Sequence, residues 1–418
     1  SLRLMKRRLT DRIKDRLWRE VRQRIACDPE LPAAQRCDGD RPSLPGTLPW
    51  IDVCAAYAGG GIGSHNFRRY TAVCKVVETA APTEAPAAEK IIVTDALGRA
   101  VEFDEYPTRI LIAGKAAFML LDAAFLFPEA PERVIAYELR SQTGLDFIYT
   151  AFPQSRNMTI LDTDAGPEQI APINPDLVLM KSYLKEQLGD QVELLGIKVV
   201  YLDLETPEAI NNDIRTLGAV LGNQERAEQL VQLYDQARSR ITEITSTIPA
   251  EEKPSVLLLQ YSAKGGEVAF KVPTGSYLQT QLVEMAGGEP VWKDVMGAGW
   301  TVISMEQIAA WNPEIIIVID YSGKAMEVVD GLESDENWQL LSSVQNGKLY
   351  AFPLDFQSWD QPDTRWTLGL AWLATRLQPE RFEALKMYQE IPAFYTDFYG
   401  LSESAVEQNI LPLVKGDF

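Results

Sequence analysis

Apolar and polar positions alternate along the chain in two ways, and these patterns predict most of the elements from residue 91 onward. Short, continuous runs of Ile, Val and Leu predict buried strands. The predicted strands are 91–94, 100–103, 109–113, 134–137, 177–180, 199–202, 256–260, 315–319 and 349–352. Because helical stretches separate most of these runs, we expect an α/β fold whose parallel sheets are covered by helices on both faces.

One longer helix interrupts the alternation. Asn223 is suited to cap its start, and apolar residues from Ala227 to Ile244 follow at spacings of three and four. Pro249 and Pro254 lie just beyond its predicted end near residue 247. A helix of this size is about 35 Å long and lies between two α/β halves, so it is predicted to act as a strut joining them.

An internal repeat links the two halves. Residues 168–180 read EQIAPINPDLVLM, and residues 306–318 read EQIAAWNPEIIIV. Proline cannot continue a helix, so each copy predicts a short helix, a turn at Asn-Pro and a buried strand. The repeat indicates the same unit in each of two lobes. The alternative is that two α/β lobes share a common helix-turn-strand arrangement, with Glu favoured at both helix starts by the helix dipole.

The composition of the chain excludes several kinds of catalytic and metal-binding site. The chain has 418 residues and a formal net charge of −19, and its four Cys and single His all lie within the first 74 residues. Residues 1–89 carry a net charge of +4 and the remainder −23, so nucleic-acid binding is not expected. The body without Cys or His excludes a Cys nucleophile, a Ser-His-Asp triad and His- or Cys-ligated metal or haem. We therefore expect no catalytic residues, no metal site and no cofactor.

The first 89 residues form a separate, poorly structured region in this interpretation. Met5–Ala26 has the spacing of a basic amphipathic helix, which fits either a membrane-surface helix or a solvated arm foreign to the mature protein. The segment from Thr79 to Lys90 is a Pro/Ala/Glu/Thr tether, and Cys74 is the candidate lipid-attachment site before it. The usual Leu and apolar segment of an export signal are missing before Cys74. The expectation is that the true signal is not represented in this sequence; the alternative is a protein that is not exported.

A family resemblance appears in the body. Asp95, Gly98, Arg99 and Val101, the repeat, and the segments 337–353 and 356–374 together resemble class III substrate-binding proteins of ABC importers. These proteins serve ferric siderophores, haem, cobalamin and, in some branches, molybdate or tungstate. The resemblance implies two Rossmann-like lobes joined by one long α-helix, with the ligand cleft between them. The corresponding boundaries are an N-terminal lobe at 90–222, a connecting helix at 223–248 and a C-terminal lobe at 249–418.

The resemblance also implies a place and partners. Members of the family work outside the cytoplasm, in the periplasm or as lipoproteins on the membrane, together with an ABC permease and its ATPase. One surface glutamate of each lobe docks onto arginines of the permease, and Glu168 and Glu306 occupy those positions here.

Loops that follow predicted strands supply the candidate ligand contacts, since the cleft lies at the carboxyl ends of strands. The candidates are Lys115, Lys181, Tyr183, Tyr261, Lys264, Tyr321, Trp359 and Asp360. Lysines and hydroxyls suit the negative oxygens of a chelate or oxyanion, and aromatic rings suit an apolar face. Solvated lysines and a Trp359 packed in the core are the alternatives. A ferric siderophore is the leading ligand, followed by cobalamin or haem, then molybdate or tungstate.

Two other classes of function compete with import. Nitrogenase-like subunits on a similar two-lobed scaffold need Cys ligands, and tetrapyrrole chelatases of this shape usually use His, so the composition argues against an enzyme. A sensor that binds the same ligands without transporting them remains open.

Overall fold

A computed structural model of the protein describes residues 90–139, 146–264, 267–297 and 299–418. The predictions for residues 1–89, including the basic helix, the tether and Cys74, lie outside the described residues. The side chain of Lys264 also lies outside them, although its backbone belongs to a strand.

The described residues contain thirteen strands. They are β1 (Ile91–Thr94), β2 (Ala100–Phe103), β3 (Ile110–Ile112), β4 (Val134–Glu138), β5 (Thr159–Leu161), β6 (Leu177–Lys181), β7 (Lys198–Leu202), β8 (Ser255–Lys264), β9 (Glu267–Val272), β10 (Glu289–Pro290), β11 (Thr301–Ile303), β12 (Ile315–Ile319) and β13 (Leu349–Ala351). Each of the nine predicted strands corresponds to one of these, with ends that agree within a few residues.

The described α-helices lie mainly between strands. They are α1 (Ala117–Ala124), α2 (Ala130–Arg133), α3 (Asp146–Ala151), α4 (Pro167–Ile170), α5 (Asp190–Leu194), α6 (Pro207–Leu221), α7 (Gln224–Thr245), α8 (Leu278–Met285), α9 (Met305–Trp311), α10 (Ala325–Glu333), α11 (Ser342–Gln345), α12 (Trp366–Leu377), α13 (Met387–Tyr399) and α14 (Glu403–Asn409). Among the residues that the structure describes, no helix is both long enough and apolar enough to span a bilayer.

The N-terminal lobe is built on a five-stranded sheet in the order β5-β4-β3-β6-β7. Every neighbouring pair in it is parallel, as the continuous apolar runs predict. The antiparallel hairpin of β1 and β2 lies beside it. The hairpin is held by Arg99, whose guanidinium donates to Asp95 and, at 2.6 Å, to Glu193.

The C-terminal lobe has a mixed sheet in the order β11-β9-β8-β12-β13, with β10 also paired to β8. Strands β10, β8, β12 and β13 run parallel, but β9 is antiparallel to both β8 and β11. The prediction of parallel sheets is therefore wrong for this edge. Strand β9 reads EVAFKV and is only partly buried, so it lacks the continuous apolar run used to find the other strands.

Helix α7 joins the lobes, and the Asn223 side chain caps it by accepting a hydrogen bond of 3.0 Å from the backbone N–H of Arg226. Its 22 residues make it about 33 Å long. Tyr234 of α7 stacks on Trp366 of α12 with ring centroids 5.8 Å apart, so α7 packs against the C-terminal lobe. Trp366 and Trp372 of α12 are both buried in the core.

Candidate ligand-binding cleft

The Asn-Pro turns of the internal repeat have the same backbone conformation in both lobes. Asn174 has φ 52° and ψ 54°, and Asn312 has φ 39° and ψ 60°. Both lie in the left-handed region at the C-terminal end of a helix, where asparagine costs less than most residues. The repeat is therefore present in the backbone conformation as well as in the sequence.

The acidic residue after each Asn-Pro turn hydrogen-bonds to the backbone at the start of the neighbouring strand. Asp176 accepts a hydrogen bond of 3.0 Å from the backbone N–H of Arg109, just before β3. Glu314 accepts one of 3.1 Å from the backbone N–H of Ser255, at the start of β8. The backbone N–H groups of Asp176 and Glu314 return bonds of 3.0 Å to the carbonyls of the same two residues. Each acid thus sets the register of two parallel strands.

The carboxyl ends of the two sheets face one another. Phe147, in the helix that follows β4, lies 5.4 Å from Phe356, in the loop that follows β13. Phe147 also packs edge-on against Tyr399 of α13 at 4.8 Å. Loops that leave the carboxyl ends of both sheets therefore meet, and a cleft between the lobes opens onto these loops.

The N-terminal lobe contributes a pocket of about 460 Å³ to this face. Its wall contains Gly114, Lys115, Glu138, Asp164 and Tyr183, together with Leu184, Gln187, Leu188 and Gln191. The buried Glu138 carboxylate accepts backbone hydrogen bonds from Gly114 at 2.6 Å and Asp164 at 3.0 Å, which holds the two loops in place. Gly114 has φ +90°, and a Cβ there would lie 2.4 Å from the Leu184 side chain, so a glycine is required.

Two predicted ligand contacts meet at this pocket. Lys115 is exposed, and Tyr183 is 48% exposed. The Tyr183 hydroxyl donates to the Lys115 carbonyl at 3.2 Å. A π-helix, Lys185–Gly189, follows Tyr183 and continues the pocket wall; such turns are frequent at functional sites.

Lys181 does not lie at the pocket with Lys115 and Tyr183, which corrects its assignment as a ligand contact. Its side chain is buried, its ammonium lies 2.6 Å from the Glu205 carboxylate, and it donates to the Asp203 carbonyl. Asp213 accepts the backbone N–H groups of Asp203 and Leu204 at 2.7 Å each and completes this internal cluster. Burial raises the pKa of Asp213 to about 7.

The C-terminal lobe presents partly buried aromatic rings after its strands. Tyr261 lies in β8, with its ring centroid 6.1 Å from that of Phe270. Trp300 packs edge-on against Tyr321 at 6.2 Å and an interplanar angle of 86°. Two of the predicted contacts, Tyr261 and Tyr321, are therefore partly buried aromatic residues, each packed against another ring of this lobe.

Asp360 is fully buried, which corrects its assignment as a direct ligand contact. Its carboxylate accepts hydrogen bonds from Tyr321 at 2.7 Å, Gln279 at 3.2 Å and Ser358 at 2.5 Å. Burial raises the pKa of Asp360, and the hydrogen bonds from these side chains oppose that shift. Burial, followed by the nearby Asp360, raises the pKa of the Tyr321 hydroxyl well above its ordinary value.

Trp359 is also fully buried, which corrects its assignment as a ligand contact. Its indole N–H donates to the Asp355 carboxylate at 3.0 Å. The sequence motif SWDQP suggests an exposed loop, but the loop folds back onto the lobe and places the indole in the core.

Sequence reasoning missed a buried charged network between the lobes. Arg365 lies 2.6 Å from Asp122 and 3.0 Å from Asp355, and the Tyr395 hydroxyl donates to Asp355. The available signal was the clustering of Asp355, Asp360, Asp363 and Arg365 in the loop that leads into α12. In the ranges that the structure describes, no group of three or more His, Cys, Asp or Glu side chains is arranged to hold a metal ion.

The two predicted docking glutamates occupy equivalent exposed positions. Glu168 lies in the first turn of α4, and Glu306 lies in the first turn of α9. The Ser304 hydroxyl and the backbone N–H of Glu306 itself hold the pKa of the Glu306 carboxyl below its ordinary value, which favours the charged form.

A further cavity of about 610 Å³ lies among C-terminal segments, lined by residues such as Phe382, Met387, Ile391 and Phe418. It includes none of the predicted ligand contacts, so we do not assign it to the cleft.

Comparison with known proteins places the chain in a family. Residues 149–355 match a family model described as periplasmic binding protein. The chain is 22% identical over 335 residues to the molybdate-binding protein MolA of Haemophilus influenzae, covering 74% of this chain and 91% of MolA. It is 30% identical over 224 residues to the vitamin B12-binding protein of Salmonella typhi, covering 52% of this chain and 77% of that protein.

A solved structure agrees with these matches. The crystal structure of a periplasmic solute binding protein from Veillonella parvula superimposes with a TM-score of 0.64 and 26% identity, covering 77% of this chain and 97% of that one. The relatives named here are solute-binding proteins and not enzymes. The chain therefore belongs to the periplasmic binding protein family, the extracytoplasmic class III substrate-binding proteins of ABC importers.

Proposed function

We propose that this protein binds an iron chelate of the ferric-siderophore type in the cleft and delivers it to an ABC permease. The observation that carries the proposal is the pocket of about 460 Å³ beside the exposed Lys115 and Tyr183. This volume lies within the range of about 300–1,000 Å³ that small-molecule sites occupy. An ammonium and a hydroxyl suit the oxygen ligands of a chelate, which brings its own metal coordination and needs no Cys or His from the protein.

A corrinoid is the second candidate. The 30% identical relative is named for vitamin B12, and the partly buried rings of Tyr261, Trp300 and Tyr321 offer a surface for the apolar side of a large ligand. Haem also has a large apolar side that these rings could cover. Both alternatives assign the same transport role and differ in the metal complex that is carried.

Molybdate or tungstate is the third candidate, supported by the similarity to MolA. A bare oxyanion is far smaller than the pocket, and Glu138 and Asp164 in the wall place carboxylates near it. Such a wall is expected to bind a small oxyanion less tightly than a larger chelate that has both polar and apolar surfaces.

Glu168 and Glu306 are the proposed docking points for the permease. They are exposed, occupy matching positions in the two lobes and lie on short helices. Two separated anchors fix the orientation of the cleft over the translocation pathway, although each exposed ion pair contributes only about 0–1 kcal/mol.

Cys74 is the proposed point of membrane attachment, through a lipid that would keep the protein near its permease. The tether of residues 79–90 after it supports this role. Replacement Cys74→Ala should release the protein from the membrane fraction into the soluble extracytoplasmic fraction. Retention in the membrane fraction would exclude this attachment.

A ligand screen tests the main proposal. The full chain is titrated with a ferric tris-hydroxamate, a ferric tris-catecholate, cyanocobalamin, haem, molybdate and tungstate, and thermal unfolding is followed. A ligand at 100 times its dissociation constant stabilises the fold by about 2.7 kcal/mol. We expect a shift with at least one ferric chelate. Stabilisation by molybdate or cyanocobalamin alone would replace the iron chelate with that ligand.

A matched pair of variants ties the binding to the cleft. Lys115→Ala should weaken the bound ligand, because it removes an exposed ammonium at the pocket. Lys348→Ala is the control, since Lys348 is exposed and precedes β13 at the opposite, amino edge of its sheet. Equal affinities of the two variants would remove Lys115 from the site.

A further inference from the structure

The two lobes are equivalent in their strand registers as well as in the repeated sequence. Ile110 pairs with Leu177 in the N-terminal sheet, and Val256 pairs with Ile315 in the C-terminal sheet. The hydrogen bonds that Asp176 and Glu314 make to the backbone of Arg109 and Ser255 lie at equivalent positions in the two sheets. Each position on β6 can therefore be matched with one on β12.

This matching brings two tyrosines into register. Strand β6 ends at Lys181 and β12 ends at Ile319, so Tyr183 and Tyr321 are each the second residue beyond the end of equivalent strands. Both belong to loops at the carboxyl ends of the sheets. The same matching on the neighbouring strands makes Lys115 of the N-terminal lobe equivalent in position to Tyr261 of the C-terminal lobe.

The two tyrosines differ in how they are held. The Tyr183 side chain is 48% exposed, and its hydroxyl donates to a main-chain carbonyl, that of Lys115. The Tyr321 hydroxyl donates at 2.7 Å to the carboxylate of Asp360, which is fully buried and also accepts from Gln279 and Ser358. Trp300 packs edge-on against the Tyr321 ring. The structure thus holds Tyr321 from two sides, whereas the Tyr183 side chain is about half exposed.

We propose that Tyr183 and Tyr321 form a matched pair of ligand contacts, one from each lobe, and that Asp360 is the positioning residue for Tyr321. This inference rests on the proposed ligand-binding function. Tyr321, whose hydroxyl is already engaged, offers its ring as a fixed surface. Tyr183 can exchange its bond to the Lys115 carbonyl for one to an oxygen acceptor on the ligand. The ligand class that satisfies both is a chelate with acceptor oxygens on one side and an apolar surface on the other.

Substitutions at the two tyrosines test the pair. Dissociation constants are measured by tryptophan fluorescence for a ferric tris-hydroxamate, a ferric tris-catecholate, cyanocobalamin and molybdate. Tyr183→Phe should weaken the bound probe about three- to tenfold, the value of one hydrogen bond. Tyr321→Ala should weaken it by about tenfold through loss of the ring. Tyr388→Phe, at an exposed tyrosine of α13, is the control and should stay within about twofold of the wild-type chain.

A double-mutant cycle tests the role of Asp360. Asp360→Asn should weaken binding when Tyr321 is present and have no further effect in the Tyr321→Phe background, because Asp360 acts through that hydroxyl. A purely structural role would weaken binding equally in both backgrounds, which would overturn the positioning role. Unfolding midpoints of the ligand-free variants are measured alongside, and Tyr321→Leu replaces Tyr321→Ala if the latter does not fold.

The outcomes separate this inference from the function on which it rests. Wild-type affinity in both Tyr183→Phe and Tyr321→Ala would overturn the pair and leave the chelate proposal intact. Binding of molybdate alone would overturn the chelate proposal and also the ligand class assigned to the pair. A wild-type chain that binds none of the four probes would overturn both.

Discussion

The guanidinium of Arg365 lies 2.6 Å from the carboxylate of Asp122, and both side chains are buried. Arg365 immediately precedes α12 in the C-terminal half of the chain, and Asp122 belongs to α1 of the N-terminal lobe. A second carboxylate, Asp355, lies 3.0 Å from the same guanidinium. The lobes are therefore joined by a buried ion pair as well as by α7, and both connections oppose large movements of one lobe against the other.

Breaking this ion pair should cost more than breaking one at the surface. Arg365→Leu leaves Asp122 and Asp355 buried without their cation, so the free energy of unfolding should fall by about 3–5 kcal/mol. Arg215→Leu is the control, since the Arg215–Glu228 pair is about half exposed and its loss should cost about 0–1 kcal/mol. Urea denaturation measures both variants. Similar losses for the two would contradict a structural role for the buried pair.

Stability should also depend on pH through Asp363. Burial raises the pKa of Asp363 to about 8, with the nearby Asp122 adding to the shift and Arg365 opposing it. In the unfolded chain this carboxyl returns to its ordinary pKa of 3.8. Between these two values the folded state holds a proton that the unfolded state has lost. The contribution of Asp363 to stability is therefore complete below pH 3.8, decreases as pH rises and is lost above about 8.

Asp363→Asn should remove this dependence, because asparagine imitates the protonated acid. The difference in unfolding free energy between the wild-type chain and the variant should change by up to about 1.4 kcal/mol per pH unit between pH 5 and 7. The control, Asp162→Asn, removes an exposed carboxylate. Parallel stability curves for the wild-type chain and Asp363→Asn would show that Asp363 is ionised in the folded protein.

The outcome at individual residues shows how far the sequence determines this structure. The strands at the centre of both sheets were predictable because residues 177–180 and Ile315–Ile319 are continuous apolar runs. The amphipathic strand β9 was not, because its Glu267 and Lys271 interrupt the run. The positions of Lys115 and Tyr183 followed from strand ends. The burial of Lys181 and Trp359 did not, since it depends on partners distant in sequence, such as Glu205 for Lys181.

The left-handed turns of the repeat give a prediction about backbone conformation. Asn174→Ala and Asn312→Ala should each lower the unfolding free energy by about 1–2 kcal/mol, because alanine lacks the short polar side chain that lets asparagine tolerate positive φ. Asn174→Gly and Asn312→Gly are the matched controls, since glycine adopts this conformation freely, and they should cost less than the alanine variants. Thermal unfolding measures all four. Equal losses for a glycine variant and its alanine counterpart would indicate that contacts of the asparagine side chain, such as the hydrogen bonds that Asn312 Oδ1 accepts from Ser342, and not the positive φ, set the stability.

The proposed docking glutamates can be separated from ligand binding by a double substitution. Glu168→Ala together with Glu306→Ala should abolish uptake of the bound ligand by cells that carry the cognate permease, because both anchors are lost. Ligand affinity should remain that of the wild-type chain, since both glutamates are exposed and neither lines the pocket. Glu243→Ala with Glu333→Ala removes the same charge from other exposed positions and should leave uptake unchanged. Normal uptake by the first pair would exclude the docking role, and equal loss in both pairs would indicate a general effect of charge.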